Sequence, residues 1–361
     1  MLFIFFPPFP MRSSYDHDIL LFSTPEIAPL ADSVQQKLVA LLGQDVGQSM
    51  VDYDYFLDGA PKMLVTESVR WKSVILLMDL FNHLANASGD SSSLNDRYMV
   101  MRWLIKTIKD FGAEQLSLIL PSFPYARDDA YDANGCAETK KRKPNLAHLA
   151  VSDMISHDLD HVITVDLHND VILNRGGQTN FINLSVWWMF RSVLERLWLD
   201  TNNVVLSGTD AGGKKKISAI SKDLHINHIT TLKERDYTSD QKIEKVVVYG
   251  DCVGKDVLLY DDMIDTGGTL MAVIREIKKA WAQSVHVIVT HSMLHGDSIT
   301  GLQQLFDQWV IQSFTTTDSI AHADLPDRCT VLSVDTLLAN TVSSLLHNES
   351  VDYNNGLVLA K

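Results

Sequence analysis

The sequence predicts an α/β protein with two similar domains, each a mainly parallel sheet flanked by helices. Apolar runs of strand length alternate with helical patterns along the chain, which is the order that gives parallel sheets covered on both faces. The length of 361 residues exceeds what one core comfortably holds and suits two such units. The predicted strands are the runs DILLF, SVILLM, LSLILP, HVITVD, NVVLSG, VVVYGD, DVLLYDD, VHVIVTHS, WVIQSFTTT and CTVLSVD.

Helical patterns fill the intervals between these runs. The best defined cover Ala28–Leu42, Arg97–Phe111, Leu146–His157 and Leu270–Trp281. In open parallel sheets, ligand-binding residues collect at the carboxyl ends of strands and in the loops that follow them. Candidate functional residues are therefore expected in those loops.

Residues 1–11 are predicted to be an N-terminal extension of the folded chain. The run MLFIFFPPFP is apolar, but no basic residues precede it, and Pro7 and Pro8 interrupt it. It is too short to span a bilayer and differs from a secretory signal. The sequence therefore predicts no membrane partner.

Composition narrows the function classes. A hydrophobic content of 46% with 21% charged residues is typical of globular proteins. The net charge of −14 argues against non-specific nucleic-acid binding, so phosphates would have to be held by local groups. Cys136, Cys252 and Cys329 are widely spaced and odd in number, which indicates a reducing compartment and predicts a cytoplasmic protein.

The most informative segment is VLLYDDMIDTGGTL, residues 257–270. Val257–Tyr260 is predicted to be a buried strand, with the adjacent carboxylates of Asp261 and Asp262 following at its carboxyl end. The small residues after Asp265 let backbone N–H groups turn inward at a helix start, which favours a bound phosphate. Carboxylates beside such a nest suit a sugar phosphate, with the acids on its hydroxyls or on Mg²⁺. An ordinary glycine-rich turn with solvated acids is the alternative.

A second segment, NVVLSGTDAGGKKK, repeats this arrangement of strand, aspartate, glycine-rich turn and basic helix start. Asp210 can meet a cation, Gly212 and Gly213 permit close approach of a phosphate, and Lys214–Lys216 add positive charge. The presence of two such arrangements in one half of the chain argues against coincidence.

Three shorter motifs place polar side chains near strands. In HVITVDLHND, Asp166 and His168 follow a strand, where a histidine is a metal or phosphate partner or, more often, structural. In LILPSFPYARDDAYD, aromatic residues and Arg127 suit the base and phosphate of a nucleotide. In TLKERDYTSD, Lys233 and Arg235 point the same way if the segment is a strand, which fits stabilisation of a phosphoryl transition state. Each motif alone is also common in proteins without such a function.

Taken in order, these segments resemble the phosphoribosyl pyrophosphate (PRPP) synthetases, or ribose-phosphate pyrophosphokinases, from about Asp16 to Lys361. The resemblance is carried by FPYAR, DLH, DAGG, KER and DDMIDTGGT, and ESVR and HNESV also match. It implies two phosphoribosyltransferase-like domains. The N-terminal domain would comprise residues 12–181 together with the C-terminal segment 343–361, and the C-terminal domain would comprise residues 182–342.

The resemblance also implies a ribose-phosphate diphosphokinase that serves nucleotide biosynthesis in the cytoplasm. Such an enzyme transfers the diphosphoryl group of ATP to the anomeric hydroxyl of ribose 5-phosphate, with Mg²⁺ as cofactor, and yields PRPP and AMP. The implied partners are ATP, the ribose 5-phosphate acceptor and further copies of the chain in a dimer or hexamer, with no nucleic acid and no membrane.

The resemblance assigns roles to four groups of residues. The catalytic cations are Lys233 and Arg235. The metal ligands are His168 and Asp210. The nucleotide-binding residues are Phe56, Asp58, Arg127, Asp132 and His168. The ribose-phosphate-binding residues are Asp261, Asp262, Asp265, Thr266, Gly267, Gly268 and Thr269.

Two positions near the implied nucleotide site depart from the family pattern. Ala60 replaces the glutamate of the nucleotide loop, and Asp128 replaces the glutamine after FPYAR. The ribose-phosphate loop is unchanged, and three hypotheses stay open: a PRPP synthetase, the same chemistry on a larger ribose 5-phosphoester such as ADP-ribose, or an inert regulatory paralogue. A phosphoribosyltransferase would leave FPYAR, DLH and KER without a role.

Overall fold

The computed structural model describes residues 19–81, 92–128, 144–169, 178–209, 213–235, 244–322 and 325–351. The predicted extension of residues 1–11 lies outside this part of the chain. Within it, the chain forms two six-stranded sheets and two hairpins of two strands each.

The first half of the molecule, residues 19–184, contains one six-stranded sheet. Its elements are β1 (Ile19–Ser23), α1 (Ala28–Leu42), β2 (Val46–Met50), β3 (Asp52–Tyr55), β4 (Pro61–Leu64), β5 (Ser73–Leu77), α2 (Leu94–Asp110), β6 (Gln115–Ile119), α3 (Leu146–Ile155), β7 (His161–Val165) and β8 (Asn180–Leu184). The strands lie in the order β2-β1-β5-β6-β7-β8, and every neighbouring pair is parallel. β3 and β4 form a separate antiparallel hairpin.

The second half, residues 187–332, repeats this topology. Its elements are α4 (Trp187–Arg196), β9 (Val204–Gly208), α5 (Lys214–Leu224), β10 (Asn227–His228), β11 (Thr230–Arg235), β12 (Glu244–Tyr249), β13 (Asp256–Ile264), α6 (Gly268–Lys279), β14 (Ser284–Ser292), α7 (Ser298–Asp307), β15 (Ser313–Thr317) and β16 (Cys329–Leu332). The order β10-β9-β13-β14-β15-β16 is again fully parallel, and β11 and β12 form the antiparallel hairpin.

The predicted fold class is confirmed, because both halves are mainly parallel sheets flanked by helices. Strands inside the sheets are covered on both faces, as expected for parallel strands: β5, β9 and β15 are buried at every position. One predicted strand, VVVYGD, is β12 of the hairpin and does not enter the second sheet.

Helix boundaries follow local capping. α1 has the predicted bounds and ends where Gly43 adopts the left-handed conformation with φ 63°. α2 begins three residues before the predicted start, because Ser93 caps it: the Ser93 hydroxyl accepts from the Asp96 N–H, and the Asp96 carboxylate accepts from the Ser93 N–H. α3 ends at Ile155, before the predicted end at His157.

The two halves share an apolar core, and the chain returns to the first half at its end. One buried cluster includes Leu21 of β1 and Leu258 of β13. The last helix, α8 (Asp335–Leu346), packs on α1, where the Asp335 carboxylate accepts a hydrogen bond from Ser33. The predicted boundary after residue 181 falls within β8, and the domain limits stay a prediction.

Candidate active site

The acidic segment that follows Tyr260 is part of a strand. β13 continues to Ile264, two residues beyond the predicted run DVLLYDD, so that Asp261 and Asp262 lie within the strand and do not follow it. The reason is that β14 is equally long and supplies a partner, with Asp261 opposite Val289 and Ile264 opposite Ser292. The two adjacent carboxylates are therefore held at fixed positions by a sheet.

The turn after β13 opens a helix, as predicted. Gly267 adopts the left-handed conformation with φ 77°, and Gly268 is the first residue of α6. A Cβ added at Gly267 would lie 3.3 Å from the Met271 Cε and 3.4 Å from the Ile264 Cδ1, whereas one at Gly268 would meet nothing within 4 Å. The exposed Thr266 and Gly268 lie at the helix N-terminus, where free N–H groups favour an anion.

Asp262 joins this loop to the first half of the molecule. The carboxylate is buried, and its Oδ2 lies 2.7 Å from the Nδ1 of His168, which follows β7. Burial alone would raise the pKa of Asp262, but the hydrogen bond from His168 and the positive charges of His168 and Lys216 hold it below its usual value. Asp262 therefore presents a negative charge at the junction of the halves.

Asp265 makes a second link between the halves. Its carboxylate lies 2.8 Å from the Nη1 of Arg127 and 2.7 Å from the Nδ1 of His295. Burial pushes the pKa of Asp265 upward, but the hydrogen bonds from His295 and Arg127 outweigh it and hold the pKa below its usual value. His295 was not predicted, although it lies three residues beyond the end of β14, in the kind of loop where ligand-binding residues are expected.

A buried polar cluster lies beside these contacts. The carboxylate of Asp166, predicted only as a strand-end residue, accepts hydrogen bonds from Tyr260, from Thr290 and from Lys216, whose Nζ lies 2.5 Å away. The pattern of the sequence marked Tyr260 as a core residue and Lys216 as a general source of positive charge. Neither signal indicates that the two meet at Asp166.

The remaining predicted residues lie on the two hairpins or outside the described part of the chain. Phe56 and Asp58 form the turn of β3–β4, where the Phe56 N–H donates to the Ala60 carbonyl at 2.8 Å. Lys233 and Arg235 belong to β11, so the segment is a strand. Asp132 and Asp210 fall outside the described residues.

Comparison with protein families matches both halves of the chain. Residues 19–149 match the model of the N-terminal domain of ribose phosphate pyrophosphokinase, and residues 188–317 match the model of the phosphoribosyl transferase domain. Together the two models cover well over half of the chain, in the order found in this enzyme family. The chain belongs to the ribose-phosphate pyrophosphokinase family. The predicted family and the prediction of an enzyme are confirmed.

Individual relatives match this pyrophosphokinase family member over nearly its whole length. Ribose-phosphate pyrophosphokinase 2 of Schizosaccharomyces pombe is 27% identical over 344 residues, 93% of this chain and 96% of the relative. Ribose-phosphate pyrophosphokinase 2 of Saccharomyces cerevisiae is 28% identical over 337 residues, 92% and 98% of the two chains. The crystal structure of phosphoribosylpyrophosphate synthetase from Mycobacterium smegmatis has a TM-score of 0.74 at 25% identity and covers 92% of this chain and 99% of its own.

Of the two residues that the resemblance assigns to Mg²⁺, His168 lies in the described part of the chain. Mg²⁺ keeps several waters and substrate phosphates and needs only one or two protein groups. The described residues contain no group of three or more His, Cys, Asp or Glu side chains that could form a cage for a metal. His168 with the Asp262 carboxylate on its Nδ1 matches the carboxylate–histidine pairs that orient metal-binding imidazoles.

Membrane association through a spanning helix finds no support in the described residues. Not one of their helices has the length and apolar character that crossing a bilayer requires.

Proposed function

We propose that this chain transfers the diphosphoryl group of ATP to the anomeric hydroxyl of ribose 5-phosphate, which gives PRPP and AMP. The observation that carries the proposal is the contact between His168 and Asp262. The resemblance places His168 at the metal–nucleotide site and Asp262 in the ribose-phosphate loop. The 2.7 Å contact between these two residues supports the proposal, because transfer from one substrate to the other requires adjacent half-sites.

The acceptor would lie over the end of β13. The carboxylates of Asp261 and Asp262 would accept hydrogen bonds from the ribose hydroxyls. The 5-phosphate would lie against the N–H groups of the turn that opens α6, where Gly267 adopts the left-handed conformation. Asp265, Thr266, Gly268 and Thr269 complete this half-site.

The donor would lie on the side of the first half of the molecule. Arg127, which is half exposed in its contact with Asp265, would meet the nucleotide. Phe56 offers a ring that is 55% exposed at the tip of the β3–β4 hairpin, where a base can stack, and Asp58 lies in the same turn. Asp132 is proposed for the same half-site.

Chemistry would require positioning and charge neutralisation more than covalent help from the protein. The anomeric oxygen attacks the β-phosphorus of ATP and loses its proton, and the bond from that phosphorus to the oxygen of the α-phosphate breaks, so that AMP leaves. Lys233 and Arg235 would neutralise the charge that develops on the transferred group. Mg²⁺, held by His168 and Asp210, would supply neutralisation of the triphosphate when bound.

The experiment that tests this function measures AMP release by the purified chain with Mg²⁺ and several nucleoside triphosphates. Ribose 5-phosphate and ADP-ribose are compared as acceptors. Turnover of ribose 5-phosphate that is faster by orders of magnitude supports the proposal. Preference for ADP-ribose would assign the same chemistry to a larger phosphoester, and the complete absence of AMP release would favour the regulatory paralogue.

The proposal extends to domain limits, assembly and location. We propose a cytoplasmic homo-oligomer, a dimer or hexamer, whose N-terminal domain of residues 12–181 is joined by residues 343–361 and whose C-terminal domain comprises residues 182–342. Packing of α8 on α1 supports the return of the chain end to the N-terminal domain. Sedimentation velocity of the purified chain tests the assembly, since a monomer at micromolar concentration would contradict it.

A further inference from the structure

The segment that leads into His168 begins with a residue in an uncommon conformation. Asp166, the first residue after β7, has φ 50° and is only 4% exposed. A left-handed conformation costs free energy for a residue with a Cβ, and a buried carboxylate costs more unless it is paired. The surroundings must therefore determine this conformation.

Three groups from the second half of the molecule satisfy the carboxylate. Lys216 Nζ lies 2.5 Å from one oxygen, and the hydroxyls of Tyr260 and Thr290 donate to the other. Burial raises the pKa of Tyr260 well above its ordinary value, and the negative charge of Asp166 raises it further. The Tyr260 hydroxyl therefore keeps its proton and remains a donor.

The backbone on either side of Asp166 is held as well. The Asp166 N–H donates to the Leu184 carbonyl at 2.8 Å, and the Leu167 N–H donates to Asn183 Oδ1 at 2.9 Å. The carbonyl of Val165 lies 2.9 Å from Nε2 of the buried His291. Residues 165–167 thus make hydrogen bonds to both halves of the molecule.

Two contacts join this segment to β13, and they are two residues apart both along the segment and along the strand. Asp166 meets Tyr260, and two residues later His168 meets Asp262. Residues i and i+2 of a strand point to the same side, so Tyr260 and Asp262 form one row on β13. The Asp166–Tyr260 pair therefore lies next to the His168–Asp262 pair along this row.

We propose that Asp166, Lys216, Tyr260 and Thr290 form a register clamp, a set of positioning residues that fixes the metal–nucleotide half-site against the ribose-phosphate half-site. The inference rests on the proposed function, since it assigns these residues the task of aligning the two substrates of that reaction. None of the four needs to touch a substrate. Their effect passes through the placement of His168 relative to Asp262.

The test compares Tyr260→Phe and Lys216→Met with Lys216→Arg, which preserves the charge. Ser313→Ala is the matched control, because it also removes a hydroxyl from a buried hydrogen bond of the second sheet, 2.9 Å from His286 Nδ1, but away from the clamp. Steady-state kinetics give kcat and the KM of each substrate. Hydrogen–deuterium exchange of the substrate-free chain reports on the amides of residues 165–167.

We expect Tyr260→Phe to lower kcat by about 10- to 100-fold, because small misplacements of reacting groups cost this much, while both KM values change by less than about threefold. The amides of residues 165–167 should exchange about tenfold faster in this variant. Opening the segment then breaks one hydrogen bond fewer than in the wild type, and such a bond contributes about 1 kcal/mol or more. Lys216→Met should act in the same direction, Lys216→Arg should recover most of the loss, and Ser313→Ala should change neither quantity.

Several results would overturn the clamp. Unchanged exchange at residues 165–167 in Tyr260→Phe would remove its structural basis. A rise in one KM with normal kcat would indicate a binding role, and an equal loss of kcat in Ser313→Ala would indicate general destabilisation. If the wild-type chain does not turn over ribose 5-phosphate, the proposed function fails, and the exchange measurement alone decides whether the clamp exists. Tyr260→Phe is the milder variant and keeps the test available if Lys216→Met does not fold.

Discussion

The sheets of the two halves have the same strand order, but the loops that follow the corresponding strands β5 and β13 differ in how exposed their aspartates are. In the second half, the loop after β13 places the partly exposed Asp265 next to residues of both halves and opens α6 at Gly267. In the first half, the corresponding strand β5 leads to Asp79, which is only 3% exposed. One loop remains open to a ligand, and the other is filled by the protein itself.

Buried polar and ionisable side chains of the protein occupy the space at the carboxyl end of β5. The carboxylate of Asp79 accepts from the N–H groups of Phe81 at 2.8 Å and Ala321 at 3.2 Å. Arg97, 1% exposed, lies 3.1 Å from Glu26, which also accepts from the Tyr53 hydroxyl. The carboxyl end of a strand is thus not sufficient for a ligand site. A site also needs carboxylates that stay ionised, and contacts that include His168 and Arg127 of the first half hold the pKa values of Asp262 and Asp265 below their usual range.

The hairpins give the largest predicted difference between the halves. Lys233→Ala on β11 should lower kcat by roughly 10²- to 10⁴-fold, by analogy with the loss of one preorganised charge at a transition state. The matched change on the other hairpin is Lys62→Ala, where Lys62 is an exposed residue of β4. It should leave kcat within about twofold, since surface changes of this kind have small effects. Equal kcat for wild type and Lys233→Ala would exclude the proposed role of Lys233.

The strand ends give the second comparison. Asp262→Asn removes an ionised carboxylate that pairs with His168, and we expect kcat/KM for ribose 5-phosphate to fall about 10²-fold, the effect of one charged hydrogen bond. Asp79→Asn is the same change at the corresponding end of β5 and should alter kcat/KM less than threefold, roughly the effect of a site without substrate contact. A similar loss in both variants would contradict the division between an open and a filled loop.

The helix start gives a smaller effect. Gly267→Ala forces a Cβ into a left-handed position beside Met271 and Ile264, at a cost of about 1–2 kcal/mol, and should raise KM for ribose 5-phosphate about tenfold as the turn shifts. Gly43→Ala is the control, because it adds the same methyl group at a left-handed position, with nothing within 4 Å, at the end of α1 and away from the site. Substrate titrations of the two variants should separate them, and equal KM values would show that the conformation of the turn does not matter for binding.

The strands that this comparison uses could be predicted from the sequence, because β5 and β13 each contain an apolar run of strand length. The edge strand β2, VGQSM, is half polar, and β10 has two residues, so neither carries a pattern that predicts a strand. The expectation that ligand-binding residues lie at the carboxyl ends of parallel strands and in the loops that follow them identified Arg127, His168, Asp262 and Asp265 as candidates. It could not predict their pairing, since each contact joins residues about a hundred or more positions apart and depends on how the halves dock. The filled loop of Asp79 was missed for the same reason, because the Ala321 N–H that donates to its carboxylate is remote in sequence.

The charge state of Asp79 gives the smallest effect on activity and a distinct effect on stability. Burial raises its pKa from 3.8 to about 7, although the hydrogen bonds from Phe81 and Ala321 lower it. The folded chain therefore binds a proton that the unfolded chain has already lost, so Asp79 reduces the free energy of unfolding as the pH rises from about 4 to about 7.

Asp79→Asn carries no such proton, and its melting temperature relative to wild type should be a few degrees higher at pH 8 than at pH 5, on the order of the shift that 1–2 kcal/mol produces. The same substitution at the exposed Asp45 is the control and should give an equal difference at both pH values. A pH-independent difference for Asp79→Asn would mean that the carboxylate is ionised throughout this range. The first-half loop would then be held by a permanent charge, as Asp262 and Asp265 hold the open one.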